Sequence, residues 1–107
     1  MYKIVTICVN GVGTSIMAKR LVSNSIQELG YDLENIDIDE TSMSKIDSVH
    51  CDLIVTTVGL ISRIPQNVKD NIHVVTVANM ISGKNQMKEA LKPYLQEALN
   101  KNLVRLV

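Results

Sequence analysis

Four short runs rich in β-branched residues alternate with longer helical segments along this 107-residue chain. The runs cover residues 3–9, 33–38, 52–58 and 73–78. Two of them, 3–9 and 52–58, are nearly continuous in apolar side chains, which is typical of strands buried on both faces. The second run alternates apolar with polar residues and is therefore expected nearer a sheet edge. Strands that alternate with helices predict an α/β fold with a parallel sheet and right-handed crossovers.

Three helical segments lie between these runs, and a fourth follows the last one. Apolar residues recur at helical spacing over 15–29, with Thr14 as the expected N-cap and Gly30 in the position after the helix. A short helix is predicted over 41–47, capped by Thr41 or Ser42. Another is predicted over 64–71, since proline is favoured at a helix start. These segments give the chain one layer of helices on each side of the sheet.

The last helix is predicted to open at Ser82 or Gly83 and to continue almost to the end of the chain. Pro93 lies inside it and is expected to kink it or mark a break. With four strands the predicted order is 2-1-3-4, in a three-layer sheet of the flavodoxin- or Rossmann-like kind. Residues 1–107 then form a single domain. Ligands in such a sheet bind beyond the carboxyl ends of the strands, beside the first strand.

Composition excludes several classes of protein. The chain balances 11 Lys and Arg against 11 Asp and Glu, and its only aromatic residues besides two His are three Tyr. Neither the neutral charge nor the scarcity of aromatic platforms suits nucleic-acid binding. No apolar run approaches the roughly 20 residues that cross a bilayer, and the N-terminus lacks a signal-peptide pattern. With two cysteines and no disulfide framework, a cytoplasmic location and no direct membrane insertion are expected.

The residues that carry chemistry follow the first strand. The segment runs Cys8-Val9-Asn10-Gly11-Val12-Gly13-Thr14-Ser15, from a buried strand into a helix N-terminus. Its glycines let backbone N–H groups turn inward, and these amides with the positive helix end form a cradle for phosphate. Such an environment lowers the pKa of a thiol, and the thiolate is the nucleophile. The pattern therefore predicts that Cys8 takes up a phosphoryl group.

Other interpretations of the segment are weaker. A cysteine in a strand is most often a packing residue, and only the glycine-rich continuation favours a chemical role here. The segment lacks the Gly-Lys-[Ser/Thr] ending of a nucleotide-binding P-loop and the third glycine of a dinucleotide fingerprint. No metal-ligand spacing is present, and neither a metal nor another cofactor is expected.

The segment resembles the Cys-x-x-Gly-x-Gly-[Thr/Ser]-Ser loop of the enzyme IIB (EIIB) components of the bacterial phosphoenolpyruvate-dependent sugar phosphotransferase system (PTS). The similarity continues through Ile16-Met17-Ala18 and spans about residues 2–100. Thr56-Thr57 at the end of the third strand and Asn79-Met80-Ile81-Ser82-Gly83 resemble the galactitol-type branch of these proteins.

The resemblance implies a mechanism and partners. Cys8 would accept a phosphoryl group from a phosphohistidine on EIIA and pass it to a sugar or polyol, galactitol-like, bound to the membrane component EIIC. Its phosphoryl oxygens would be held by residues of the loop: Asn10, Gly11, Val12, Gly13, Thr14 and Ser15. Apolar side chains near the loop would dock the partners: Val12, Ile16, Met17, Leu60 and Ile61. A small single domain of this kind is expected to be a monomer.

Two alternatives remain open from the sequence. Low-molecular-weight tyrosine phosphatases and arsenate reductases use a similar strand–loop–helix, but phosphatases of this type place an Arg where this chain has Thr14. Without that guanidinium a carrier role is favoured, since a carrier's phosphocysteine must survive until the next protein arrives. The third possibility is a non-catalytic EIIB-like regulatory module whose phosphorylation state another protein reads.

The remaining candidates have structural explanations. Cys51, beside His50, has no partner spacing and is expected to be a core or edge thiol. His50 and His73 start strands and should lie at the end of the sheet opposite Cys8. Arg63 and Lys84 follow the third and fourth strands and are expected near the Cys8 end, where they would either attract a phosphorylated partner or be solvated surface charges.

Overall fold

The computed structural model of the chain describes residues 2–8, 12–78 and 84–107, with the side chains of Cys8, 12–15 and 42–44 outside that description. The strands are β1 (Tyr2–Cys8), β2 (Ile36–Ser42), β3 (Leu53–Thr57) and β4 (His73–Val77). The α-helices are α1 (Val12–Glu28), α2 (Gln66–Asn71) and α3 (Lys84–Asn100). Three 3₁₀ helices connect them, at Leu33–Asn35, Met43–Ser48 and Val58–Arg63.

The four described strands form one parallel sheet in the order β2-β1-β3-β4. This arrangement, flanked by helices, confirms the predicted α/β flavodoxin-like topology. β1 and β3 occupy the centre, and their apolar runs are continuous because both faces of the sheet are covered. β2 lies at an edge, as its alternating pattern predicted.

Two apolar clusters fill the spaces on either side of the sheet. On one face, α1 and α3 bury Val22, Leu91 and Leu95 against Ile4 and Val55. On the other face, Ile46 and Val68, from the 3₁₀ helix Met43–Ser48 and from α2, pack with Val5, Ile7 and Ile54. The alternation of strand side chains between the two clusters gives the three layers that the sequence predicted.

Gly30 ends α1 as predicted. Its φ of +91° lies in the left-handed region, which glycine adopts without a Cβ penalty. The N–H of Gly30 donates to the Gln27 carbonyl at 3.0 Å, and that of Tyr31 to the Ile26 carbonyl at 3.2 Å. This pair of bonds is the Schellman closure, which satisfies carbonyls that the helix end leaves free.

β2 begins and ends later than predicted. The Asp32 carboxylate accepts a hydrogen bond from the Glu34 N–H at 3.0 Å, which caps the 3₁₀ helix Leu33–Asn35 and delays the strand to Ile36. Pairing with β1 then continues to Cys8 and Ser42. The predicted helix over 41–47 is therefore wrong at its start, because residues 41 and 42 extend the ladder and a 3₁₀ helix over Met43–Ser48 follows.

One prediction about a helix end is also wrong. α1 already includes Thr14, since it begins at Val12, so Thr14 is not the N-cap. Of the kink or break expected at Pro93, the break does not occur, because α3 continues through this residue. Proline removes one backbone hydrogen bond, but Pro93 is exposed, and the fully buried Leu91 and Leu95 on either side hold the helix on the sheet. The predicted opening at Ser82 or Gly83 lies outside the described residues.

Candidate active site

The site predicted around Cys8 lies at the carboxyl end of the central strand. Cys8 is the last residue of β1, where it pairs in register with Ser42 of β2. α1 begins at Val12, four residues further on, and carries Gly13, Thr14 and Ser15 in its first turn. Asn10 and Gly11 lie outside the described residues. The chain thus passes directly from the middle of the sheet into the amino end of a 17-residue helix, whose free N–H groups and dipole favour an anion.

Two buried hydroxyls form hydrogen bonds that connect the last residues of β1 to the strands on both sides. Thr56 of β3 donates its hydroxyl to the carbonyl oxygen of Ile7 at 3.2 Å. Thr6 donates its own to the carbonyl oxygen of Asp39 in β2, at 3.4 Å. Both threonines are fully buried. The backbone that presents Cys8 is therefore held laterally from β2 and β3 by side chains as well as by the ladder.

Sequence reasoning assigned no role in the site to Thr6 or Thr56. Threonine is common in buried strands because of its β propensity, so its presence there does not by itself indicate a role in a site. What the sequence could have indicated is a hydrogen bond, because a buried hydroxyl needs a partner. Which partner it finds depends on strand order and register, which become certain only in the folded chain.

The predicted docking residues separate into exposed and buried ones. Ile16 and Met17 of α1 are 51% and 47% exposed. Leu60, in the 3₁₀ helix after β3, is buried, so it stabilises the fold and leaves no surface for a partner. Ile61 is partly buried against the cluster around Val5. An apolar side chain that the sequence did not single out, Val58, is 58% exposed.

Lys84, the first residue of α3 after β4, has its ammonium paired with a carboxylate of α1. Its ammonium is 2.5 Å from the carboxylate of Glu28, which also receives Lys88 of α3 at 3.4 Å. Glu28 is the last residue of α1, about 24 Å along the helix from Val12 at 1.5 Å per residue. The hydrogen bond from Lys84 lowers the pKa of Glu28. Lys84 is therefore a link between α1 and α3.

The other thiol and the histidines lie away from Cys8. His73 is the first residue of β4, and His50 and Cys51 precede β3, so all three are at the amino end of the sheet. Burial of Cys51 raises the pKa of its thiol to about 11, which leaves it protonated and unreactive near neutrality. The structural role predicted for Cys51 agrees with this placement. Across the described ranges no group of three or more His, Cys, Asp or Glu is arranged to hold a metal ion.

Comparison with known proteins defines the class to which this fold and site belong. Residues 3–93 match the family model described as "PTS system, Lactose/Cellobiose specific IIB subunit". The chain is also similar to the "Ascorbate-specific PTS system EIIB component" of Mycoplasma pneumoniae (strain ATCC 29342 / M129 / Subtype 1). The two are 32% identical over 94 residues, which is 86% of this chain and 93% of the relative.

The chain therefore belongs to the EIIB family of the sugar phosphotransferase system. It is an EIIB phosphocarrier with transferase activity, and its partners in that system are EIIA and EIIC. The predicted resemblance is confirmed at this level. The galactitol-type branch finds no support in either comparison, since one description names lactose and cellobiose and the other ascorbate. None of the described helices is both long and apolar enough to span a membrane.

Proposed function

We propose that this EIIB protein carries the phosphoryl group on the sulfur of Cys8. The observation that carries the proposal is the placement of Cys8 at the end of the central strand, followed within four residues by the amino end of α1. EIIB components as a family need a nucleophile that EIIA can phosphorylate. Of the two thiols, Cys51 lies at the opposite end of the sheet with a raised pKa, which leaves Cys8.

The transfer takes place in two displacements. The Cys8 thiolate attacks the phosphorus of the phosphohistidine on EIIA; the S–P bond forms, the P–N bond breaks, and the imidazole of EIIA takes up a proton. A hydroxyl of the sugar held by EIIC then attacks the phosphorus, the S–P bond breaks, the hydroxyl loses its proton, and the thiolate is restored. Neither displacement requires a cofactor, because positioning and charge stabilisation supply the catalysis.

The segment after Cys8 holds the phosphoryl oxygens in this proposal. Backbone N–H groups from Asn10 to Ser15, among them those of Gly11, Val12 and Gly13, donate to the oxygens, and the hydroxyls of Thr14 and Ser15 add further donors. The helical start at Val12 supports this assignment, since the first N–H groups of a helix have no partner within it. A loop without an Arg at position 14 leaves the phosphocysteine long-lived, which suits a carrier.

The substrate is proposed at the level of a sugar or polyol, which EIIC recognises and EIIB only phosphorylates. The galactitol-type strings Thr56-Thr57 and 79–83 favour a polyol. The name of the relative favours ascorbate, and the family description favours lactose or cellobiose. Reconstitution of this chain with EIIA and with EIIC proteins of each specificity distinguishes these candidate substrates. We expect uptake and phosphorylation with one class of EIIC, and galactitol transport identifies the galactitol type.

We further propose that residues 1–107 act as one monomeric EIIB domain in the cytoplasm and meet both partners through one apolar surface. This docking surface comprises Val12, Ile16, Met17, Val58 and the accessible part of Ile61. Its support is the exposure of Ile16, Met17 and Val58 beside the segments that follow β1 and β3. A surface used by two partners in turn must be accessible in the free protein, as these side chains are.

The direct test is phosphorylation of the purified chain by phosphoenolpyruvate, the general phosphotransferase proteins and EIIA. Intact-mass measurement should show one phosphate on the wild type and on Cys51→Ser, and none on Cys8→Ser. A phosphate retained by Cys8→Ser contradicts the assignment. Turnover of an aryl phosphate that depends on Cys8 indicates a phosphatase instead. Phosphorylation at Cys8 with no transfer to sugar in the presence of any EIIC indicates a regulatory module.

A further inference from the structure

The fully buried Thr56 makes a contact one residue away from Cys8. Its hydroxyl lies 3.2 Å from the carbonyl oxygen of Ile7 and donates to it. Ile7 is also fully buried, so this hydrogen bond is shielded from water. A hydrogen bond in such surroundings is electrostatically stronger than the same bond at the surface.

The bond lies at the end of β1, where the pairing with β2 extends further than the pairing with β3. On the β2 side the register continues through Ile7 and Thr41 to Cys8 and Ser42. On the β3 side the paired register ends at Thr6 and Val55. The side chain of Thr56, the next residue of β3, reaches back to the β1 backbone just beyond that point. It therefore holds the β3 side of β1 where the ladder no longer does.

We propose that Thr56 is a positioning residue for phosphoryl transfer, acting through the Ile7–Cys8 peptide group. That group is planar, so fixing the Ile7 carbonyl also fixes the N–H and the Cα of Cys8. Fixing the Cα of Cys8 narrows the positions that its sulfur can take up. In-line attack requires the reacting atoms to be held near 3–3.5 Å and aligned, and small misplacements slow such reactions strongly. The inference rests on the proposed role of Cys8.

A merely structural threonine would behave differently from a positioning one. Ser25 of α1 provides the comparison, because its hydroxyl is also fully buried and donates to a backbone oxygen, the Leu21 carbonyl, at 2.7 Å. Ser25 lies near the far end of α1 from the Cys8 loop. Ser25→Ala removes a buried hydroxyl and should leave transfer unaltered, whereas loss of the hydroxyl of a positioning threonine lowers the rate of the chemical step.

The experiment measures single-turnover phosphorylation by phosphorylated EIIA for the wild type, Thr56→Val, Thr56→Ser and Ser25→Ala. Valine keeps the shape of threonine and removes the hydroxyl, whereas serine keeps the hydroxyl. We expect Thr56→Val to lower the maximal rate roughly tenfold, with the EIIA concentration for half-maximal rate changed less than about twofold. Thr56→Ser should recover the wild-type rate to within about threefold. Thermal unfolding of each variant checks that it is folded, and Thr56→Ala replaces Thr56→Val if the latter does not fold.

The outcomes separate this inference from the proposed function. A wild type that gains no phosphate on Cys8 overturns both. If the wild type is phosphorylated on Cys8 and Thr56→Val, or Thr56→Ala in its place, is phosphorylated at the same rate, the positioning role alone is overturned. A hydroxyl-free variant slowed no more than Ser25→Ala, or slowed without recovery in Thr56→Ser, also overturns it, because the hydroxyl would then have no specific effect on transfer.

Discussion

The N–H of Tyr31 donates to the carbonyl oxygen of Ile26 across the left-handed Gly30, which closes α1 before the chain turns toward β2. The same turn receives the end of the chain, because the Val107 N–H donates to the Gly30 carbonyl at 2.8 Å and the Asp32 N–H to the Arg105 carbonyl at 2.8 Å. The end of α1 and the C-terminal segment thus stabilise each other, far along α1 from the Cys8 loop.

Gly30→Ala should lower the free energy of unfolding by about 1 kcal/mol, because φ of +91° is unfavourable for any residue with a Cβ. A Cβ at Gly30 meets nothing within 4 Å, so the expected loss is conformational and not steric. Gly59→Ala is the matched control, since its Cβ also meets nothing and its φ is not in the left-handed region. Urea denaturation of the three proteins tests this, and equal stabilities of the two variants would contradict it.

Features of the fold that are determined by neighbouring residues could be predicted from the sequence, and features that depend on distant residues could not. The strands and the Gly30 closure follow from neighbouring residues, and both were predicted. The start of β2 at Ile36 depends on the Asp32 cap and on register with β1, which local periodicity does not contain. The continuity of α3 through Pro93 depends on the burial of Leu91 and Leu95 on either side of it, which the local effect of a proline does not reveal.

The candidate site shows the same division. The glycine-rich segment after Cys8 is contiguous, so its chemistry could be predicted from the sequence. The Thr56 contact joins residues 49 positions apart, and the burial of Leu60 depends on packing against the sheet. Likewise, the pairing of Lys84 with Glu28 depends on how α1 and α3 lie relative to each other. These long-range relationships could only be found in the folded chain.

The thiol of Cys51 should react slowly in the folded protein, because burial raises its pKa to about 11. In a Cys8→Ala variant, which leaves Cys51 as the single thiol, we expect iodoacetamide labelling at pH 8 to be slow and to increase in urea. Labelling as fast in the folded protein as in urea would contradict the burial of this thiol. The measurement is the labelling rate by intact mass.

The same pKa predicts how stability changes at alkaline pH. The ordinary thiol pKa of 9.0 applies to the unfolded chain, so between pH 9 and about 11 the unfolded state loses the Cys51 proton first. The contribution of the partly buried neutral thiol is therefore fully present below pH 9 and is lost as the pH rises through about 11. In the Cys8→Ala background, the additional variant Cys51→Ala should lose less stability over that interval, as measured by urea denaturation at each pH.

The pairing of Glu28 with Lys84 and Lys88 should contribute a small, salt-sensitive stabilisation. The hydrogen bond from Lys84 lowers the carboxyl pKa, so the contribution is present above the unfolded pKa and is lost as the pH falls through the folded one. Glu28→Gln should lower the melting temperature by a few degrees at most at pH 7, and the difference should shrink in about 1 M NaCl. Glu89→Gln, an exposed glutamate of α3, controls for the change in net charge. An undiminished difference in high salt would contradict an electrostatic origin.

Met17→Asp should weaken docking of the phosphorylated EIIA partner without unfolding the chain. Met17 is 47% exposed on the first turns of α1, and a charge there would have to be desolvated against an apolar partner surface. We expect the EIIA concentration for half-maximal phosphorylation of Cys8 to rise roughly tenfold, while the maximal rate changes little. Leu103→Asp is the matched control, because Leu103 is 38% exposed but follows α3 at its far end, near the Gly30 turn. If the two variants need the same EIIA concentration for half-maximal phosphorylation, the docking surface is not on this face of α1.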